Sequence, residues 1–127
     1  MKKQIKTANA PQAIGPYSQG IVIEKLIFTS GQIAINPKTN TLTEGGVIEQ
    51  TIQVFENLRA ILDSEGSNFD NIVKTSIFLK HMSDFNVLNQ IYAEYFKEPY
   101  PARSCLEVSN LPKDALVEIE VIAYKNS

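Results

Sequence analysis

The hydrophobic period of this chain switches back and forth between two values, and that alternation limits the folds open to it more than any other feature. From Val47 to Ser64 apolar residues recur at helical spacing: Val47, Ile48, Ile52, Phe55, Leu58, Ile61 and Leu62 gather on about half of the helix circumference. Gly45-Gly46 precede this segment, and Gly66 follows it as a C′ residue. Residues 72 to 80, IVKTSIFLK, then alternate, with Val73, Thr75, Ile77 and Leu79 on one face and Lys74, Ser76 and Lys80 on the other. A second helical segment starts at Ser83, a good N-cap, and runs to about Lys97. Its inner face carries Phe85, Leu88, Tyr92, Tyr95 and Phe96, with Asn89 among them.

Strand patterns also cover 3 to 6, 20 to 24, 26 to 30, 101 to 108 and 116 to 124, while APQAIGPYSQG (10 to 20) reads as loop and NPKTN (36 to 40) as turn. The order β-β-β-α-β-α-β-β predicts an α+β fold in which one sheet carries both helices on one face. The 127 residues contain no repeat or linker and suffice for one domain over 1–127. In the last strand one parity holds Val117, Ile119, Val121 and Ala123, the other Leu116, Glu118, Glu120, Ile122 and Tyr124. Neither is a clean solvent face, so a homo-oligomer that buries the second face is expected.

Composition narrows the function. A net charge of −2, with only Lys2, Lys3 and Lys6 clustered, argues against nucleic acid as a partner. No apolar run follows those lysines and none approaches a membrane span, so neither secretion nor membrane insertion is expected, and the cytoplasm is the default. One cysteine excludes an intrachain disulfide, and one histidine, His81, argues against the usual zinc sites. No phosphate-binding loop, dinucleotide fingerprint or metal-ligand spacing occurs, so no cofactor or metal is expected.

Arg103 is the residue that demands an explanation. In PARSCLEV (101 to 108) it interrupts what reads as a buried strand, and a buried guanidinium needs an anionic partner. That partner is either a glutamate of this protein, within the sheet or across a subunit interface, or a carboxylate from outside. Glu118 and Glu120 share a face of the last strand, but periodicity gives neither strand order nor register. Asn89 can be a structural amide bonded to backbone, and Cys105 lacks a histidine to activate it.

Three motifs resemble those of the RidA/YjgF family: AIGPYSQG (13 to 20), FTSGQIAINPKT (28 to 39) and PARSCLEVSNLPKDALVEIEVIA (101 to 123). The resemblance spans essentially the whole chain. It implies a chorismate-mutase-like fold, a mixed sheet with two helices on one face, assembled as a trimeric barrel with clefts between subunits. It further implies hydrolysis of 2-imino acids, released by pyridoxal-phosphate-dependent dehydratases, to 2-oxo acids and ammonia. Carried over by position, Arg103 clamps the substrate carboxylate and Glu118 holds or activates water. Tyr17 lines the cleft, Ser30 and Gly31 give polar and backbone contacts, Asn89 lies near the cleft, and Cys105 contributes mainly its backbone.

The inventory suits that chemistry. A protonated imine is already electrophilic, so the protein has only to orient a carboxylate and deliver water. A carboxylate beside the guanidinium would stay ionised and accept a proton from that water. Two other readings remain open from the residues: a sensor of small carboxylates such as 2-oxo acids that turns nothing over, and an RNA-cleaving or regulatory member of the same family.

Overall fold

A computed structural model describes residues 1–126; Ser127, the last residue of the expected single domain, lies outside the described residues. In chain order the elements are β1 (Lys3–Ile5), β2 (Gly20–Ile23), β3 (Leu26–Thr29), β4 (Ile35–Asn36), β5 (Thr41–Leu42), α1 (Val47–Asp63), β6 (Ile72–Leu79), α2 (Phe85–Tyr95), β7 (Ala102–Glu107) and β8 (Val117–Tyr124). Six strands form one mixed sheet in the order β1-β2-β3-β8-β6-β7, with β6 and β7 parallel and the other pairs antiparallel. The crossover from β6 to β7 runs through α2, as a parallel pair requires. The expected turn at 36 to 40 closes a small separate hairpin, β4-β5, which is too short to leave a periodic trace in the sequence.

Both helices cover one face. The core joins Val54, Phe55, Leu58, Ile61 and Leu62 of α1 and Leu88, Ile91 and Tyr92 of α2 to Ile27, Ile77, Ile119 and Val121 of the sheet. The buried stripe of α1 is displaced from the expected one. Ile48 and Ile52 stay exposed, while Gln50, Thr51 and Asn57 are buried. Two of these polar side chains serve the backbone beneath them: Gln50 Oε1 accepts from the Leu116 N–H at 2.9 Å, and Asn57 Nδ2 donates to the Ile35 carbonyl at 2.9 Å. Helix α2 begins after a short 3-10 turn at Met82–Asp84, so Asp84 rather than Ser83 occupies the N-cap.

The alternation in β6 is also reset. Ile72 pairs with Ala123 and Lys74 with Ile122, so β6 spends one extra residue there. This bulge puts Val73 in solvent and restores the expected face from Thr75 onward. On β8 the pattern resolves cleanly: Val117, Ile119, Val121 and Ala123 face the helices, and Glu118, Glu120, Ile122 and Tyr124 face the other way. That open face keeps Leu26, Phe28, Leu106 and Tyr124 exposed at 43%, 39%, 55% and 43%. Leu26, Phe28 and Tyr124 lie together by register at one end of that face, and Leu106 lies across the sheet beside Phe78.

Candidate functional site

Strand β7 is the sheet's edge, and most of its residues are exposed. Arg103 is therefore not buried as its strand pattern suggested. Its register partner is the buried Thr75 of β6, which places Arg103 on the helix-covered face, although Arg103 itself stays exposed. Asn89 of α2 meets it there: Arg103 Nη1 donates to Asn89 Oδ1 at 2.7 Å. The guanidinium also lies over the rings of Tyr92, at 4.8 Å from the centroid, and Phe85, at 5.4 Å. Asn89 is only half-buried, and its partner is a side chain rather than backbone.

No carboxylate lies within ion-pair distance of Arg103 among the described residues. Beside it opens a cleft of about 340 Å³ lined by Asn89, Tyr92, Ala93, Tyr100, Pro101 and Arg103. A small carboxylate entering this cleft would meet a guanidinium whose charge no internal acid has neutralised. Cys105, two residues along β7, is half-buried, and burial pushes its thiol pKa up against the opposing pull of Arg103. That favours the unreactive thiol over the nucleophilic thiolate.

The remaining expected residues gather elsewhere. After β3 the chain runs on along β8, with Gln32 and Ile119 exchanging backbone hydrogen bonds at 2.9 and 3.1 Å. This lays Gly31 against the carboxylate of Glu118: a Cβ at Gly31 would fall 2.5 Å from Glu118 Oε2 and 2.8 Å from Cδ. Glycine stands here for want of space, so that the carboxylate can rest on bare backbone. Gly31 also lines a second cleft of about 330 Å³, whose wall includes Tyr17, Gln19 and Lys113. Tyr17 is exposed, and its hydroxyl accepts from the Ile14 N–H at 3.3 Å. The Ser30 hydroxyl donates to the Ser18 carbonyl at 2.5 Å, which leaves its oxygen free to accept.

Glu118 is half-buried on the open face, with no cation paired to it among the described residues. Burial, and secondarily repulsion from Glu120, raise its pKa above the ordinary carboxyl value. The guanidinium expected beside it is absent within the chain, because Arg103 and Glu118 stand on opposite faces of the sheet. The expected residues thus fall into two separate groups, one around Arg103 and Asn89, the other around Tyr17, Ser30, Gly31 and Glu118.

Sequence reasoning passed over three residues that shape these groups. The spacing of Tyr92 and Phe85 reads as core, although they lie three positions after and four before Asn89 on one helix face. Gln19 is buried, and its amide holds the loop before Tyr17: Oε1 accepts from the Thr7 N–H at 2.7 Å and Nε2 donates to the Pro11 carbonyl at 2.7 Å. A larger cleft of about 620 Å³, between α1, the N-terminal loop and the β4-β5 turn, contains none of the expected residues.

Comparison with known proteins agrees with these motifs. The family model described as Endoribonuclease L-PSP matches residues 7–125. A RutC family protein of Pyrococcus horikoshii is 51% identical over 125 residues, covering 98% of this chain and 99% of its own. The human 2-iminobutanoate/2-iminopropanoate deaminase is 44% identical over 125 residues, covering 98% of this chain and 91% of its own. The crystal structure of a protein of the conserved Rid family from Yersinia pestis superposes with a TM-score of 0.95 at 52% identity, covering 98% and 99% of the two chains. Sequence motifs, family match and superposition coincide over the same residues, and the chain belongs to the RidA/YjgF family.

Proposed function

We propose that this protein is a deaminase that hydrolyses reactive 2-imino acids to 2-oxo acids and ammonia. The observation that carries the reading is Arg103, a guanidinium held at a cleft by an amide oxygen and two aromatic rings and paired with no carboxylate among the described residues. The naming of the human and mouse relatives as 2-iminobutanoate/2-iminopropanoate deaminases supports it.

In this reading Arg103 binds the substrate carboxylate through two parallel N–H donors. Water adds to the iminium carbon as Glu118 takes its proton, forming a tetrahedral carbinolamine. Glu118 then returns that proton to nitrogen; as the C–N bond breaks, the carbinolamine hydroxyl proton passes to the departing ammonia, and ammonium leaves with the 2-oxo acid. Within one chain burial and Glu120 raise the carboxyl pKa, and the neighbour's Arg103 would lower it again, so Glu118 can both take and give the proton. No metal or organic cofactor is required, because the protonated imine supplies its own electrophile.

The two groups meet, in this proposal, as half-sites between copies of the chain. Arg103 and Asn89 of one subunit face Tyr17, Ser30, Gly31 and Glu118 of a neighbour in a chorismate-mutase-like trimer. The exposed apolar side chains of the open sheet face supply the surface such an assembly would bury. The cytoplasm, where dehydratases release imino acids, is the expected compartment. No described helix is long and apolar enough to cross a membrane.

The decisive assay couples the protein to a pyridoxal-phosphate-dependent dehydratase that makes the imine in situ. Release of the 2-oxo acid is timed with and without the protein. Acceleration proportional to its concentration is expected. Tight binding of 2-oxo acid with no acceleration would instead establish a carboxylate sensor.

A further inference from the structure

We propose that Tyr92 is a positioning residue for Arg103: anchored by its hydroxyl to buried Thr75, its ring joins Phe85 and Asn89 in holding the guanidinium through uncharged contacts alone. The positive charge is thereby kept for an external carboxylate. The inference rests on the carboxylate-clamp reading above and deepens it by saying what makes the clamp available.

The geometry separates orientation from neutralisation. A guanidinium has five N–H donors, and Asn89 Oδ1 engages Nη1 at 2.7 Å. The Tyr92 and Phe85 rings, 4.8 and 5.4 Å from the Arg103 carbon, attract the cation without consuming an N–H. An aspartate or glutamate in the same place would orient the side chain as well, but would take two donors and compete with substrate. Among the described residues, every group that holds Arg103 is uncharged.

Tyr92 is itself fixed from two sides. Its hydroxyl lies 3.0 Å from Thr75 Oγ1, and Thr75 is fully buried as the register partner of Arg103. Its ring stacks on Phe96 with centroids 4.2 Å apart. The same strand pair therefore sets both the arginine and the anchor of the tyrosine that holds it. Burial raises the phenol's pKa, so the ring stays neutral across the working range. Arginine otherwise has much rotamer freedom to lose on binding, and a guanidinium ordered in advance loses less of it.

The test compares Tyr92→Leu, Tyr92→Phe, Asn89→Asp and Arg103→Ala with the parent. Pyruvate binding is followed by titration calorimetry, and KM and kcat in the coupled assay. Tyr92→Leu is expected to raise Kd and KM on the order of 3- to 30-fold, with kcat changed less. Tyr92→Phe, which keeps the ring but loses the anchor, should fall between Leu and parent. Asn89→Asp supplies an internal carboxylate and should weaken pyruvate more than either. A merely structural Tyr92 would lower the melting temperature and leave Kd and KM alone. Parent-like pyruvate binding by Tyr92→Leu overturns the proposal, as does parent-like binding by Tyr92→Phe should the leucine variant not fold. Parent-like binding by Asn89→Asp does the same. If Arg103→Ala itself binds pyruvate normally, the clamp reading has failed first, and that outcome is distinct.

Discussion

Arg103 and Glu118 leave one sheet from opposite faces, with β6 between their strands: Arg103 shares the helix-covered side with Thr75, and Glu118 shares the open side with Phe78. Two side chains so placed cannot converge on a substrate the size of a 2-imino acid within one chain. The relationship turns the functional question into one of assembly.

Arg103→Ala should fold and assemble while losing turnover. Losing a bidentate, charge-assisted clamp costs roughly 2–4 kcal/mol of transition-state stabilisation, on the order of 30- to 1,000-fold in rate. Arg103→Lys should not rescue, because an ammonium lacks the planar fork. Circular dichroism and the coupled assay together check this. A folded Arg103→Ala with parental kcat/KM would make the arginine structural.

Glu118→Gln should lower turnover on the order of 10²- to 10⁴-fold with pyruvate binding retained, since it keeps shape and hydrogen bonding but removes the base. The structure now separates it from Glu120: Glu118 is half-buried against Gly31, and Glu120 is exposed. Glu120→Gln should retain most activity. A reversed outcome would move the base by two positions along β8.

The pH profile follows from the raised Glu118 pKa. A carboxyl whose pKa is raised keeps its proton to higher pH, so the base form exists only above that value. Burial and Glu120 push the acidic limb of kcat/KM up, while the neighbour's Arg103, which the proposed assembly brings beside the carboxylate, pulls it down. Glu120→Gln removes the repulsion and should move the limb down, but only partway, because burial is the larger cause. A limb unmoved by Glu120→Gln would mean that some other group titrates there.

Much of the fold was legible because its elements are amphipathic and long enough to show a period. The two parities of β8 and most of the inner face of α2 could be read, but not which parity of β8 meets the helices, nor the burial of Ile91. The two-residue strands β4 and β5 could not be read, since a period needs repetition. Val73 was misplaced because a bulge costs one residue and leaves no mark in composition. The candidate residues of the three motifs stood out as types, while Tyr92, Phe85 and Gln19 did not. The division of the candidates into two groups was not visible, because it depends on the order β8-β6-β7, which no local pattern contains. Arg103 looked buried for the same reason: only topology reveals that its strand is an edge.

Gly31→Ala tests the contact beneath Glu118. The added Cβ would fall 2.5 Å from Glu118 Oε2, and the flexible end of that side chain, rather than backbone, must give way. The protein should fold with little change in melting temperature, while kcat falls as the carboxylate is displaced. In a Glu118→Ala background, Gly31→Ala should then have almost no further effect. This is the non-additivity expected of two residues acting through one contact. An additive double variant would show that Gly31 acts on the substrate by itself.

The last prediction addresses the assembly, and subunit mixing settles it more sharply than mass. Sedimentation equilibrium should return three times the chain mass, but a trimer alone does not say which copies share a site. Arg103→Ala retains a working Glu118, and Glu118→Gln retains a working Arg103. Each is expected to be nearly inactive alone. If every site takes its arginine from one copy and its glutamate from a neighbour, random exchange of equal amounts gives about one site in four with both residues intact. Mild denaturation and joint refolding should then recover about a quarter of parental activity, against almost none for the variants refolded separately. If both residues came from one copy, no mixed trimer would contain an intact site and no activity would return. Failure to recover activity, with exchange verified by a mass-tagged subunit, would overturn the intersubunit site while leaving the family and the fold untouched.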